Sequence, residues 1–504
     1  MSPRNGHMFK KIKQLHFVGI GGSGMSGIAE ILLNLGYKIT GSDIKRTEVT
    51  ERLEELGAEI KYYHSPDNVG DADVVVVSSA IKGDNPELII ASEMGIPIIR
   101  RAEMLAELMR LKYGIGIAGT HGKSTTTSLV GEILTEGQLD PTVIVGGIVA
   151  NLRSNVRLGT GEYLVAEADE FDRSFLRLTP TIAVVTNMEK EHLECYDDKI
   201  EELRGAFLEF MNKVPFYGAV ILCIDETPLQ ELLPEIERRV ITYGLSTQAD
   251  VRAVKVEFNR GGTTFTVVAD NKTLGEIETS LIGLHNVRNI LAAIAVSLEV
   301  GVNFEDIKRA LANFKGVYRR FQIKGQENDI LVVDDFGHHP TEIQVTLKAA
   351  KMAYNDMRIV AVFQPHLYSR TQEFFQEFGK AFLDCDVLVV TEIYGAREEP
   401  VEDVSGEMIV RAAKDYGHRA VFFEPETDKI PELLNKICNP GDLVLTIGAG
   451  PIWKVGTKFL EILRKNNKEN QPSDDTQDNG DNQNETENVN PDIDRDNKLM
   501  TMTI

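Results

Sequence analysis

YGIGIAGTHGKSTTTSLVGEIL (113–134) reads as an apolar strand, a glycine-containing turn and a helix, in that order. Gly119 and Gly122 free the backbone to curl around phosphates, and Lys123 supplies a point charge to the β- and γ-phosphates. Thr120, His121 and Thr125 complete the turn, and Ser124 offers a hydroxyl to Mg²⁺ at the start of the helix. The spacing departs from GxxxxGK[ST], so the strand before and the helix after carry the reading. This part of the chain is expected to bind ATP within a parallel, helix-covered sheet.

The same grammar runs to either side. LHFVGI (15–20) leads into GGSGMSGIAEILLNLG, and YKITGSD (37–43), DVVVVSSAI (73–81) and IPIIR (96–100) follow with helical patterns between. Gly19, Gly21 and Gly24 form G-x-G-x-x-G, with Gly22 and Ser23 in the same turn and Asp43 ending the second strand about 20 residues on. Such a loop places an anion on a helix N-terminus, and an NAD(P) site or a turn without ligand both fit. After the phosphate loop come YLVAEADE (163–170), TIAVVTN (181–187) and AVILCID (219–225), then the alternating strands VKVEFN and TTFTVVA and a helix at 285–298. DILVVDD (329–335), RIVAVFQP (358–365), DVLVVTE (386–392) and DLVLTIGAG (442–450) make a further set of strands. The expected architecture is α/β in three domains: a Rossmann-like domain over 1–111, a central P-loop domain with a mostly parallel sheet over 112–318, and a Rossmann-like domain over 319–465.

Acids and imidazoles stand at strand ends, which face the ligand crevice in such sheets. In AEADEFD (166–172) and NMEKEHLE (187–194), Glu167 and His192 are the candidates to hold Mg²⁺ with ATP oxygens. Zinc through His192 and Cys195 lacks a second pair of ligands. DDFGHHP (334–340) and FQPHLYSRT (363–371) place two histidines, a carboxylate and the His366/Arg370 pair at such ends. They suit either polar ligand recognition or helix capping, with Thr341 as the expected N-cap and Glu342 in the first turn.

Five hundred and four residues suit about three domains. A net charge of −23 leaves no overall basic footprint for nucleic acid. Residues 466–504 hold ten acids against three bases and few apolar groups, and are expected to be a disordered acidic tail. No apolar run reaches the length of a membrane span, the start lacks an apolar signal core, and the four cysteines form no CxxC. A cytoplasmic protein without membrane or nucleic-acid partners is expected.

GTHGKST, EADE, the Asn-x-Glu-x-x-His run and LHNVRN together resemble the Mur ligase family, ATP-dependent acid–amino-acid ligases of peptidoglycan precursor synthesis. HFVGIGGSGMSGIAE, RRAEML, DDFGHHPTE and FQPHLYSRT are similar to the members that join L-alanine to UDP-N-acetylmuramate, over roughly 14–458. The resemblance implies that the first glycine loop cradles the UDP diphosphate, with Asp43 and Ser78-Ser79-Ala80 near the uridine and His64 and Asn68 in the same domain. It implies Lys123 on the γ-phosphate and Ser124, Glu167 and His192 on Mg²⁺, these being the catalytic set. It puts His285 and Asn289 near adenine, Arg320 on an ATP phosphate and Asp335 on the ribose. His366 and Arg370 would take the amino acid, the third domain closing over the second, in a monomer or homodimer. Phe336 stands where tyrosine is common and Leu367 where some members have arginine; neither removes a group the chemistry requires.

Overall fold

The computed structural model describes residues 11–469, apart from Ser79, 150–153, Asp172, Glu191, His192 and Arg397. Nearly all of the expected tail, and the candidate metal ligand His192, therefore lie outside the described residues. Residues up to Tyr318 form one compact unit and those from Arg319 a second. Among the described residues, strands build three sheets, of five, ten and six strands.

The five-stranded sheet contains β1 (Gln14–Val18), β2 (Lys38–Ser42), β3 (Glu59–Lys61), β4 (Val74–Val77) and β5 (Ile98–Arg100). All pairs are parallel, in the order β3-β2-β1-β4-β5. The chain leaves β1 toward one edge and returns to β4 on the other side, so the crevice of an open α/β sheet falls at the C-terminal ends of β1 and β4. Phe17, Val18, Val75 and Val76 are fully buried, because helices cover both faces of a parallel sheet.

The ten-stranded sheet runs through β6 (Tyr113–Ala118), β7 (Thr142–Val149), β8 (Ser154–Arg157), β9 (Tyr163–Glu167) and β10 (Ile182–Val185). It continues with β11 (Ala219–Cys223), β12 (Val240–Gly244), β13 (Val251–Asn259), β14 (Gly262–Ala269) and β15 (Lys272–Thr279). Its order is β15-β14-β13-β12-β11-β10-β6-β9-β7-β8. β7 and β9 to β13 pair in parallel around β6, while β13–β15 and β7–β8 are antiparallel. The difference follows from composition: AVILC of β11 is buried throughout, whereas β15 alternates exposed charge with Ile277 and Thr279 turned inward. β6 sits between β9 and β10, so three strand ends converge on the phosphate loop.

In the second unit, β16 (Gln322–Glu327), β17 (Ile330–Asp335), β18 (Arg358–Phe363), β19 (Val387–Val390), β20 (Val421–Phe423) and β21 (Asp442–Ile447) follow the order β16-β17-β21-β18-β19-β20. Only β16 is antiparallel. The expected N-cap at Thr341 is corrected: His339 is the cap, and its ring accepts from the Thr341 N–H while Glu342 reaches back to the His339 N–H. Pro340, lacking an N–H, takes the first helical position, which leaves the cap one residue before it. No helix among the described residues is long and apolar enough to cross a membrane.

Candidate active site

Two glycines shape the phosphate loop. Gly119 has φ +132°, and a Cβ there would lie 2.1 Å from Thr186 Oγ1; Gly122 has φ +84°, and its Cβ would lie 2.5 Å from Asn289 Oδ1. Only glycine satisfies both the left-handed backbone and the space. The end of β10 then staples the loop in place. The His121 N–H donates to Asn187 Oδ1 at 2.8 Å, Thr186 Oγ1 donates to the His121 carbonyl at 2.6 Å, and the Glu189 N–H donates to Thr120 Oγ1 at 2.9 Å. Asn289 is thus brought against the phosphate loop itself, while His285 lies in the first turn of the helix Leu284–Glu299 that carries it.

Lys123 opens the helix Lys123–Glu136, and its ammonium donates to the Gly119 carbonyl at 2.7 Å and to Glu170 Oε2 at 2.8 Å. Burial alone would depress this ammonium, but Glu170 and Asp169 outweigh it and hold it above the ordinary lysine range. Glu170 is buried and is itself fixed, because the buried Tyr196 hydroxyl donates to its carbonyl at 2.5 Å. The Arg173 guanidinium covers the Tyr196 ring at 4.7 Å. Sequence reasoning named the acidic run but missed Glu170, since spacing alone does not tell which acid of EADE meets the lysine. Glu167 ends β9 and accepts the Gly146 N–H at 2.6 Å. Burial raises its carboxyl above the ordinary value, against the hydrogen bonds from Gly146 and the Ser124 side chain. Ser124 and Glu167 are therefore together beside Lys123, an oxygen pair of the kind a hard divalent cation takes.

The first glycine loop closes on Asp43. The Gly21 N–H donates to Asp43 Oδ2 at 2.8 Å, and a Cβ on Gly21 would fall 2.9 Å from that oxygen. Gly19 (φ +80°) and Ile20 donate their N–H groups to the Ser42 carbonyl, and Ser78 lies against Gly19. A Cβ on Gly24 would meet the Arg101 side chain at 2.8 Å, so a guanidinium overlies the helix Ser23–Asn34 at its N-terminus. RRAEML had given no sign of that placement. His64 and Asn68 meet through Glu87, which no motif singled out. Glu87 Oε1 accepts from Asn68 Nδ2 at 2.7 Å and from the Ser65 N–H at 3.2 Å, and Oε2 accepts from Ser42 Oγ at 2.6 Å. His16 Nε2 lies 3.4 Å from Oε2, and His64 Nδ1 lies 3.5 Å from Oε1. Burial would raise this carboxyl, but hydrogen bonds from His16, Ser42 and Asn68 bring it down to about 2.

In the second unit, Asp335 is buried and accepts the Phe321 and Gly337 N–H groups, both at 2.8 Å. Its expected ribose contact would compete with loop-holding bonds. Arg319 and Arg320 lie over the Phe336 ring at 5.0 and 5.5 Å, so the residue that lost a hydroxyl packs two guanidiniums. Arg320 also reaches Glu342 Oε1 at 3.3 Å. Burial holds the His338 imidazole down to about 4, which leaves it neutral at pH 7. His366 and Arg370, one helical turn apart, stand 3.5 Å apart between Nδ1 and Nη1. Between them Leu367 adopts φ +69°, a strained backbone for a leucine, at the start of the helix Tyr368–Ala381.

Three family models match in sequence: the Mur ligase family catalytic domain over 14–113, the Mur ligase middle domain over 117–297, and the Mur ligase glutamate ligase domain over 319–450. The chain belongs to the Mur ligase family. A UDP-N-acetylmuramate–L-alanine ligase of Geobacter sulfurreducens is 52% identical over 91% of this chain and 99% of its own length. One from Geotalea daltonii is 54% identical over 91% of this chain and 100% of its own. The crystal structure of the UDP-N-acetylmuramate–alanine ligase of Thermotoga maritima is similar with TM-score 0.76 and 30% identity, covering 90% of this chain and 100% of that one. A murein peptide ligase of Psychrobacter arcticus is similar with TM-score 0.64 and 25% identity, covering 90% and 98%.

Two outcomes follow from the buried carboxylates. Glu170→Ala leaves the Lys123 ammonium without its nearest anion, and should lower stability by about 3–5 kcal/mol at pH 7, read as a drop in thermal midpoint. A non-hydrolysable ATP analogue should restore more of that midpoint in the variant than it adds to the unaltered chain. Glu87 titrates near 2 in the fold against an ordinary 4.5, so its stabilisation is complete above 4.5 and is lost as pH falls toward 2. Urea unfolding should accordingly show Glu87→Gln costing about 3 kcal/mol at pH 7 and much less near pH 2.

Proposed function

We propose that the chain joins L-alanine to the lactyl carboxylate of UDP-N-acetylmuramate, with conversion of ATP to ADP and phosphate, as a step of peptidoglycan precursor synthesis. The observation that carries this reading is the likeness to ligases of that name at 52–54% identity along 91% of the chain. The three domains then divide the work. The first takes the UDP-sugar through Gly19, Gly21, Gly22, Ser23, Gly24, Asp43, His64 and Ser78. The second takes ATP through residues 119–125, His285 and Asn289. The third contributes Arg320 and Asp335 to ATP and His366 and Arg370 to the amino acid.

A carboxylate resists attack by an amine because its leaving group is poor. Transfer of the γ-phosphoryl group to the lactyl carboxylate gives an acyl phosphate, the alanine amine attacks it, and phosphate leaves. Lys123 orients the γ-phosphate and balances its charge, in a position where Glu170 already selects for a full positive charge. Ser124 and Glu167 would hold Mg²⁺, with His192 as the third ligand that the family resemblance implies. When bound, the ion screens charge on the phosphates. Arg370 offers a planar fork to the amino-acid carboxylate, and the neutral His338 adds no competing charge. A cytoplasmic monomer or homodimer is the matching setting, since unpaired cysteines suit a reducing compartment.

A peptide-adding ligase is the second reading, favoured by the likeness to the Psychrobacter arcticus protein. Phosphate release from ATP should require both UDP-N-acetylmuramate and L-alanine, and release with either omitted overturns the proposal. L-Alanine should also outcompete a tripeptide as acceptor. Lys123→Ala should abolish ligation while leaving the affinity for UDP-N-acetylmuramate nearly intact, measured by calorimetry; equal loss of both would contradict the division between domains.

A further inference from the structure

The hydrogen atoms around Ser42 can be counted. Ser42 Oγ lies 2.6 Å from Glu87 Oε2 and 3.1 Å from His64 Nδ1. Glu87 is 0% exposed and, with donors on both oxygens, carries a carboxylate that only accepts. A hydroxyl has one hydrogen, and the carboxylate takes it. At its other contact Ser42 Oγ must then accept, so the hydrogen between Ser42 and His64 belongs to the imidazole Nδ1. Glu87 Oε1, 3.5 Å from the same nitrogen, favours the same placement. A neutral His64 protonated on Nδ1 carries a bare lone pair on Nε2, and among the described residues no hydrogen bond reaches that atom. The ring is 19% exposed. It lies beside the glycine loop, whose Gly19 and Ile20 N–H groups rest on the carbonyl of the same Ser42.

We propose that Ser42 and Glu87 are positioning residues that lock His64 in the Nδ1–H tautomer, so that Nε2 accepts a hydrogen bond from an N–H or O–H donor of the bound uridine nucleotide. This rests on the reading of the first domain as the UDP-sugar site. It adds a polarity to that site: at His64 the protein recognises a donor. The uracil imide N–H and the ribose hydroxyls are the donors such a nucleotide owns. Glu87 acts without touching the ligand, by consuming the serine hydrogen.

The test uses the full chain with ¹⁵N-labelled histidine and long-range ¹H–¹⁵N correlation at about pH 8, where an ordinary imidazole is neutral. His64→Gln assigns the signal. The expected result is a protonated Nδ1 and a bare Nε2. Ser42→Ala leaves the Asn68 and Ser65 donors on Glu87 and so keeps the charge satisfied; it should release the tautomer and weaken UDP binding about tenfold, with ATP affinity unchanged. Glu87→Gln should do the same. N3-methyl-UDP and the deoxy nucleotide identify the donor, since the analogue lacking it should bind Ser42→Ala and the unaltered chain alike. A proton on Nε2 in the unaltered chain, or a released tautomer with unchanged UDP affinity, overturns the inference. If the tautomer is found but UDP does not bind the unaltered chain, the uridine assignment falls and takes this inference with it.

Discussion

The Lys123 ammonium is the charge around which the central sheet is arranged. It sits at the point where β6, β9 and β10 end, bonded to the carbonyl of Gly119 and paired with Glu170. A cation so nearly enclosed needs anions close by, and this requirement explains the density of acids in residues that sequence leaves as loop. It also explains the pinning. The Tyr196 hydroxyl fixes Glu170; Thr186 and Asn187 both donate to the His121 carbonyl; and Asn289 closes over Gly122. These contacts tie the loop to the segments that follow β9 and β10 and to the helix Leu284–Glu299, so the protein itself holds the phosphate loop in place.

Buried and half-buried carboxylates repeat this device elsewhere. Asp225 accepts the Leu245 and Ser246 N–H groups and pairs with Arg288 at 2.8 Å, tying the ends of β11 and β12 to the helix of Asn289. Asp334 is fully buried and pairs with Arg319 at 2.9 Å while accepting from Thr446 Oγ1, which joins β17 to β21. Glu87 unites three candidate site segments of the first domain. In every case the acid satisfies backbone or side-chain donors that a parallel sheet leaves at its C-terminal rim, where ligands are also received.

Much of the fold was legible. Val74–Val77, Ala219–Cys223 and Val387–Val390 are continuous apolar runs between polar turns, and each became a strand buried on both faces. Strands with weaker signals, such as Gln322–Glu327 and Lys272–Thr279, are edge strands whose outward residues face water and carry no apolar period. The glycine turns were legible too, because a positive φ or a close approach demands glycine. Glu170, Glu87 and Arg101 were not. They occupy loops or helices where an acid or a base is ordinarily solvated, and nothing local marks them as buried or as facing a glycine turn.

The sequence by itself determined which residue types could do chemistry and at what strand ends they would fall, since strand–turn–helix order and glycine spacing are local properties. Only the tertiary structure decided which acid meets Lys123, that Asn289 packs on Gly122, that Arg101 lies over Gly24, and that Ser42 and Glu87 dictate the proton on His64. Those pairings join residues 22 to 167 positions apart, and their partners are chosen by sheet order and burial. A hydrogen bond or ion pair between distant segments depends on which strands become neighbours, and no local pattern records that.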